Sequence, residues 1–227
     1  MHAPYEPPVN LNIQDYAKRG YLGPNLLVVH HYPGSLQDFE TLAGTRTPMS
    51  LAPYTLASVA TDPHVALTRM RKSGVTVSLS SDAAGVGPLD MLEIMRLTWS
   101  LGNRVVGPEA EGMKVLRFLE AIEMATINGA KALGLDKITG SLTPGKRADV
   151  VLILTSAIGV TPMALPETTV VLSARTSNVD TVFADGRIVK REGVLTAFDM
   201  AKVIAAAQAS ALRIRKEAGR WLTPPSQ

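Results

Sequence analysis

Short apolar runs separated by stretches with helical spacing dominate the first part of the chain. Residues 25–30 form an almost unbroken apolar run that ends in His30, as expected for a strand covered on both faces. Residues 49–52 and 75–82 are further strand candidates, and the last of them ends in Asp82. Strands that alternate with helices are typical of right-handed βαβ units. The pattern therefore predicts an α/β fold with a parallel sheet.

Capping and breaking residues mark the helices between these strands. Ser35 can cap a helix that runs through Leu42, with Asp38 as the third residue of a capping box. Pro88 suits the first turn of a helix. We expect helices over residues 12–20, 36–42, 63–72, 88–99 and 116–133. Glycine, which readily adopts the left-handed region, is a common helix end.

The pattern changes after residue 136, where short β segments replace the long helices. We predict strands over residues 149–154, 170–174, 179–184 and 187–190. Asp185-Gly186, between the last two, is a strong hairpin signal because both turn positions tolerate positive φ. An Ala-rich helix over residues 196–218 follows. These segments divide the chain into an α/β part (1–136), a β part (137–195) and a helix with a tail (196–227).

Composition excludes several classes of function. The chain has 227 residues, 46% of them hydrophobic and 19% charged, which is typical of a folded globular protein. It contains no cysteine, so disulfides, thiolate nucleophiles and Cys-based zinc sites are excluded. The net charge of +3 is spread along the chain and gives no sign of nucleic-acid binding. We find no apolar run of about 18 residues and no secretory signal, and we expect a cytoplasmic protein without membrane contact.

Polar residues at strand ends are the candidates for chemistry. His30 and Asp82 each end a predicted parallel strand, and the carboxyl ends of such strands face the site in α/β enzymes. Each also has a structural alternative: a single histidine can be buried for packing, and Asp82 can cap the following helix. We interpret His31 and His64 as structural, since His31 points away from His30 and His64 lies at a helix start.

The segments around these residues resemble the amidohydrolase superfamily. Residues 23–30, 50–53 and 74–84 resemble its sixth, seventh and eighth barrel strands, in the branch of cytosine deaminases, guanine deaminases and triazine hydrolases. Residues 138–151 resemble the entry into its β-sandwich domain, and residues 182–189 its closing hairpin. The resemblance implies the carboxyl-terminal half of a (β/α)₈ TIM-type barrel, strands five to eight, then a small β-sandwich domain and a C-terminal helix.

The resemblance also implies a reaction and a set of residues. In such enzymes a divalent metal, most often zinc, with iron or manganese as alternatives, lowers the pKa of a water molecule that attacks a C–N or C–Cl bond. Asp82 matches the aspartate that binds the metal and shuttles a proton. His30 matches the sixth-strand histidine and is both a catalytic and a metal-site candidate, and His2 is a candidate for the fifth-strand metal histidine. A small nitrogen heterocycle that loses an amino group is the expected substrate.

The family's first-strand His-x-His pair is missing, which leaves three alternatives open. The chain can be part of an active deaminase-like hydrolase, or a catalytically incomplete fragment or interaction module that forms a homodimer or needs a missing amino-terminal half. It can also belong to a branch that hydrolyses cyclic amides or dipeptides. Catalytic zinc usually has three or more protein ligands, so without that pair we expect only weak metal binding by this chain alone.

Overall fold

A three-stranded parallel sheet forms the first half of the molecule. The computed structural model describes residues 12–163 and 165–218. Strands β1 (Val28–Val29), β2 (Met49–Leu51) and β3 (Val77–Leu79) pair in the order β1-β2-β3, all parallel. The predicted parallel α/β arrangement is confirmed in these strands, although each is shorter than expected. The strand proposed for 25–30 is shorter because a Leu26 to Gly23 hydrogen bond makes a turn of its first residues.

Helices flank this sheet and connect its strands. Their bounds are α1 Ile13–Lys18, α2 Leu36–Gly44, α3 Pro53–Val59, α4 Pro63–Ser73, α5 Met91–Gly102, α6 Phe118–Ala125 and α7 Ile127–Ala132. The predicted capping box of α2 is confirmed: the Asp38 amide donates to Ser35 Oγ, and the Ser35 amide donates to Asp38 Oδ2. Helix α4 begins after the N-cap Asp62 and ends at Gly74, whose φ of 74° few other residues adopt without strain.

Two helix predictions are wrong in detail. Helix α5 does not include Pro88: it begins after Asp90, whose Oδ1 accepts a hydrogen bond from the Leu92 amide and caps the first turn. The single helix expected over residues 116–133 is broken at Thr126, whose φ of −128° and ψ of −93° are not helical. The chain therefore turns between α6 and α7.

The hydrophobic core lies between the sheet and its helices. Among its fully buried side chains are Val28, Phe39, Leu42, Met49, Leu51 and Met70, which come from β1, α2, β2 and α4. All three residues of β2 and all three of β3 are buried. A packed core of this kind fixes the strand ends rigidly, which matters for any residue that follows them.

A four-stranded antiparallel sheet follows. Its strands β4 (Val150–Ile153), β5 (Val179–Ala184), β6 (Arg187–Arg191) and β7 (Val194–Leu195) pair in sequence order. The Asp185-Gly186 hairpin joins β5 to β6 as predicted, with φ values of 50° and 77°. The part of the chain that the structure describes contains no second sheet facing this one, so the β-sandwich stays a prediction, as does the division into domains.

The strand expected over residues 170–174 is wrong. Helix α8 (Pro166–Thr168) continues there into a single wide helical turn, Thr169–Ser173. Arg96 of α5 binds this segment, donating to the carbonyl oxygens of Leu172 at 3.0 Å and Ala174 at 2.7 Å. The fully buried Val171 then packs in the core, which outweighs the β propensity of its branched neighbours.

The last helix, α9 (Met200–Ala218), has no buried residue. It begins four residues later than predicted, because residues 196–199 leave the hairpin as a turn in which Thr196 bonds back to Val189 and Ile188. No helix among residues 12–163 and 165–218 has the length and apolar character needed to cross a membrane.

Candidate functional site

His30 and Asp82 lie at the carboxyl ends of β1 and β3, as the sequence predicted. His30 follows β1 directly, and Asp82 lies just beyond the end of β3. Both have backbone conformations in the left-handed region, with φ values of 62° and 60°. Such values are uncommon for residues other than glycine, cost about 1–3 kcal/mol each, and concentrate at functional sites. The core that holds both strands maintains this strain.

The two side chains meet. Nε2 of His30 lies 3.4 Å from Oδ2 of Asp82. The imidazole is nearly buried, with 8% of its side chain exposed, whereas 26% of the carboxylate is exposed. The pair therefore presents one buried nitrogen and one accessible carboxylate at the same end of the sheet.

Tyr32 holds the other side of the imidazole. Its hydroxyl oxygen lies 2.8 Å from Nδ1 of His30, and the two rings meet edge to face at 5.4 Å. The same hydroxyl donates to the Ala52 carbonyl and accepts from the Ala52 amide, each at 3.1 Å. Burial raises the pKa of Tyr32 well above its usual range, and the nearby Asp82 charge raises it further against the effect of the Ala52 hydrogen bond. Tyr32 is thus a neutral hydroxyl tied to the end of β2.

Thr55 holds the carboxylate. Its hydroxyl donates to Oδ2 of Asp82 at 2.5 Å from the first turn of α3. Sequence reasoning did not identify Tyr32 or Thr55. A signal for Thr55 was present: Pro53 at the first helical position places α3 directly at the carboxyl end of β2, and its first turn must then face the site.

The remaining histidines lie elsewhere. His31 is buried beside α2, with Nε2 3.7 Å from Oδ2 of Asp38 and its ring against Phe39. Burial lowers the pKa of His31, and the Asp38 carboxylate opposes this shift only in part. Nδ1 of His64 lies 2.8 Å from the Leu101 carbonyl. Both arrangements fit structural roles.

His30 and Asp82 offer donors of the types that zinc prefers. Ligand distances of about 2.1 Å in a tetrahedral arrangement separate two donor atoms by about 3.4 Å, and the His30 to Asp82 distance is 3.4 Å. No group of three or more His, Cys, Asp or Glu side chains suited to a metal occurs among residues 12–163 and 165–218. The predicted third ligand, His2, lies outside the described residues. The two described donors fit part of a zinc site.

A cavity of about 340 Å³ borders the site only through Tyr32. Its other walls come from the loop after β1, the end of α3, the loop between α3 and α4, and the first turns of α4, namely Pro33, Val59, Ala60, Thr61, Asp62, Val65, Ala66 and Arg69. His30 and Asp82 are not in its lining, so we place the chemistry at the strand ends, where the two side chains converge.

Comparisons with a family model and with curated proteins agree on one protein family. A model of the amidohydrolase family matches residues 28–189. A 5'-deoxyadenosine deaminase from Methanothermobacter thermautotrophicus is 35% identical over 196 residues, which cover 86% of this chain and 44% of that protein. The chain thus spans less than half the length of the curated relatives it matches.

Two solved structures have a similar fold. An adenosine deaminase from Xanthomonas campestris with bound zinc has a TM-score of 0.81 at 22% identity, over 90% of this chain and 46% of that one. An atrazine chlorohydrolase from Arthrobacter aurescens complexed with zinc has a TM-score of 0.74 at 20% identity, over 92% of this chain and 47% of that one. These similarities show a fold of the TIM-barrel type.

Proposed function

The chain belongs to the amidohydrolase family, and from this premise we propose that it carries part of the active site of a metal-dependent hydrolase that removes an amino group from a nitrogen heterocycle. The single observation that carries the proposal is the convergence of His30 and Asp82, 3.4 Å apart at the ends of two parallel strands. Family membership alone does not say which side chains of this chain form the site. The convergence places the two expected metal-binding side chains at one point.

Each residue has a role that follows from its surroundings. Asp82, the more accessible of the two, accepts a proton from the attacking water and returns it to the departing amine. Thr55 keeps the carboxylate oriented for this transfer through its hydrogen bond to Oδ2. His30, nearly buried, directs Nε2 toward the same point and orients the water or the substrate.

A divalent metal completes this chemistry. A bound zinc ion would lower the pKa of water enough for hydroxide to form near neutral pH. His30 and Asp82 are the described residues that would hold it, and His2 is the candidate for a further ligand. We propose zinc because both structural neighbours contain it, although nitrogen and oxygen donors also suit iron and manganese.

We propose an adenine nucleoside altered at its 5' position as the substrate. The support is the name of the relative from Methanothermobacter thermautotrophicus, a 5'-deoxyadenosine deaminase, together with its 35% identity. The same relative favours deamination over hydrolysis of cyclic amides or dipeptides. Chlorohydrolase activity has weaker support, since that neighbour shares only 20% identity.

We also propose how the described elements relate to a complete enzyme. Strands β1, β2 and β3 would be the sixth, seventh and eighth strands of a (β/α)₈ barrel, and β4 to β7 one sheet of a β-sandwich domain. The short parallel sheet with site residues at its carboxyl ends supports the first assignment.

Ammonia release from 5'-deoxyadenosine tests the function. The purified chain is supplied with zinc, and the conversion of the adenine ring is followed by absorbance. We expect turnover by the wild type and by Glu111→Gln, which removes one exposed carboxylate on the loop before α6, and none by Asp82→Asn. Equal turnover by Asp82→Asn would count against the proposed role of this site, and no turnover by the wild type would count against catalysis by the chain alone.

A further inference from the structure

The Tyr32 hydroxyl lies at the centre of a hydrogen-bonded group on the Nδ1 side of His30, whereas Asp82 lies on the Nε2 side. Its oxygen is 2.8 Å from Nδ1 of His30 and 3.1 Å from both the amide nitrogen and the carbonyl oxygen of Ala52. Only 3% of Tyr32 is exposed. Because Ala52 directly follows β2 and precedes α3, the hydroxyl is anchored to a rigid part of the backbone.

The single hydroxyl proton can occupy two positions in this group. When it points to the Ala52 carbonyl, Nδ1–H of His30 donates to the tyrosine oxygen, and the neutral imidazole presents the lone pair of Nε2 toward Asp82. When the hydroxyl donates to Nδ1, Nε2 carries the proton and can donate to the carboxylate. The Ala52 carbonyl keeps a partner in both cases, because it also accepts from the Leu56 amide at 2.9 Å.

We propose that Tyr32 is a positioning residue for His30: its hydroxyl holds the imidazole with Nε2 facing Asp82 in either neutral tautomer. Nε2 of His30 can thus change from a hydrogen-bond acceptor or metal ligand to a hydrogen-bond donor. The ring does not move, and its Nδ1 hydrogen bond is kept. The inference rests on the proposed function for its purpose, but its structural content concerns only Tyr32, His30 and Ala52.

The Oη–Nδ1 hydrogen bond can be observed by nuclear magnetic resonance of the imidazole nitrogens in the whole ¹⁵N-labelled chain. Spectra are recorded over an alkaline pH range in which the nitrogen chemical shifts no longer change with pH, so that tautomers and not charge are compared. His64 serves as an internal reference, because its Nδ1 faces the Leu101 carbonyl, which can only accept, and therefore carries the proton.

Tyr32→Phe is the test variant and Tyr21→Phe the matched control, since Tyr21 is 60% exposed. In Tyr32→Phe we expect the His30 Nδ1 resonance to move to the position of a nitrogen without its hydrogen bond, with the His64 resonances unchanged. In Tyr21→Phe neither histidine should change. Loss of such an outer partner typically weakens metal binding by tenfold to a hundredfold, so zinc affinity should fall by about that factor.

The outcomes separate this inference from the proposed function. An unchanged His30 Nδ1 resonance in a folded Tyr32→Phe variant overturns the inference, whatever the activity. A shifted resonance in a chain without deaminase activity supports it and leaves only the proposed function in doubt. If Tyr32→Phe fails to fold, the unmodified protein decides: a slowly exchanging Tyr32 hydroxyl proton with an Overhauser effect to the His30 ring is expected, and its absence overturns the inference.

Discussion

Nε2 of His30 and Oδ2 of Asp82 lie 3.4 Å apart, although two helical connections between strands separate the two residues along the chain. Both residues adopt positive φ values that the surrounding core must maintain. The relationship places a buried imidazole and an accessible carboxylate at one point.

Thr55 should matter for catalysis more than for folding. Hydrogen bonds to charged groups contribute about 1.5–3 kcal/mol, so we expect Thr55→Val to lower kcat by about tenfold or more, with KM nearly unchanged. Thr55→Ser, which keeps a hydroxyl, should restore most of the rate. Thr61→Val, at an exposed threonine, is the control; a similar loss in that variant would show that the Thr55 to Asp82 bond has no special role.

Gly34 should tolerate no side chain, because a methyl group there would lie 2.7 Å from Cδ2 of His31 and 2.9 Å from Cζ of Phe39. Overpacking of this kind costs about 1–3 kcal/mol, and we expect Gly34→Ala to lower the free energy of unfolding by that amount. Urea denaturation measures it.

Gly44→Ala is the matched control for that substitution. No atom lies within 4 Å of a methyl group at Gly44, which is the last residue of α2, and alanine favours helix over glycine by up to about 1 kcal/mol. The control should therefore be neutral or stabilising. Equal destabilisation by both variants would contradict the close packing around His31.

Asp149 should make stability depend on pH in acid. Hydrogen bonds from the Thr139 hydroxyl and the Asp185 amide lower the pKa of Asp149 in the folded chain. An aspartate in the unfolded chain titrates near pH 3.9. The contribution is thus fully present above about pH 4 and is lost as the pH falls through the lower folded value.

Unfolding by urea between about pH 2.5 and 7 measures this dependence. We expect Asp149→Asn to lose less stability in acid than the wild type, and Glu111→Gln to follow the wild type. An Asp149→Asn curve parallel to that of the wild type would show that these hydrogen bonds do not favour the charged carboxylate.

The sequence predicted the two site residues at the strand ends, but not the residues that bind their side chains. His30 and Asp82 follow apolar runs, and parallel strands bring their carboxyl ends together, so their proximity follows from strand periodicity and family resemblance. Tyr32 and Thr55 lie beyond strand ends, in a loop and in a helical turn, where periodicity gives no direction for a side chain. Their contacts depend on packing that only the folded chain shows.

Residues 170–174 illustrate where local propensity fails. Their branched side chains favour a strand, yet Arg96, distant in sequence, binds the Leu172 and Ala174 carbonyls of a helical turn. The strand expected over residues 25–30 was too long for a different reason, since the local Leu26 to Gly23 hydrogen bond makes a turn of its first residues. Long-range contacts like those of Arg96 leave no mark on nearby residues.

Zinc content tests the central claim most directly. The purified wild type, Asp82→Asn and Glu111→Gln are dialysed against buffer with a known excess of free zinc, and the zinc bound above the buffer level is measured by elemental analysis, with circular dichroism to verify folding. We predict about one weakly bound zinc ion per chain in the wild type and in Glu111→Gln, and almost none in a folded Asp82→Asn, as expected for a partial site that loses a ligand. Equal zinc in all three chains, or none in the wild type, would contradict a metal site at His30 and Asp82.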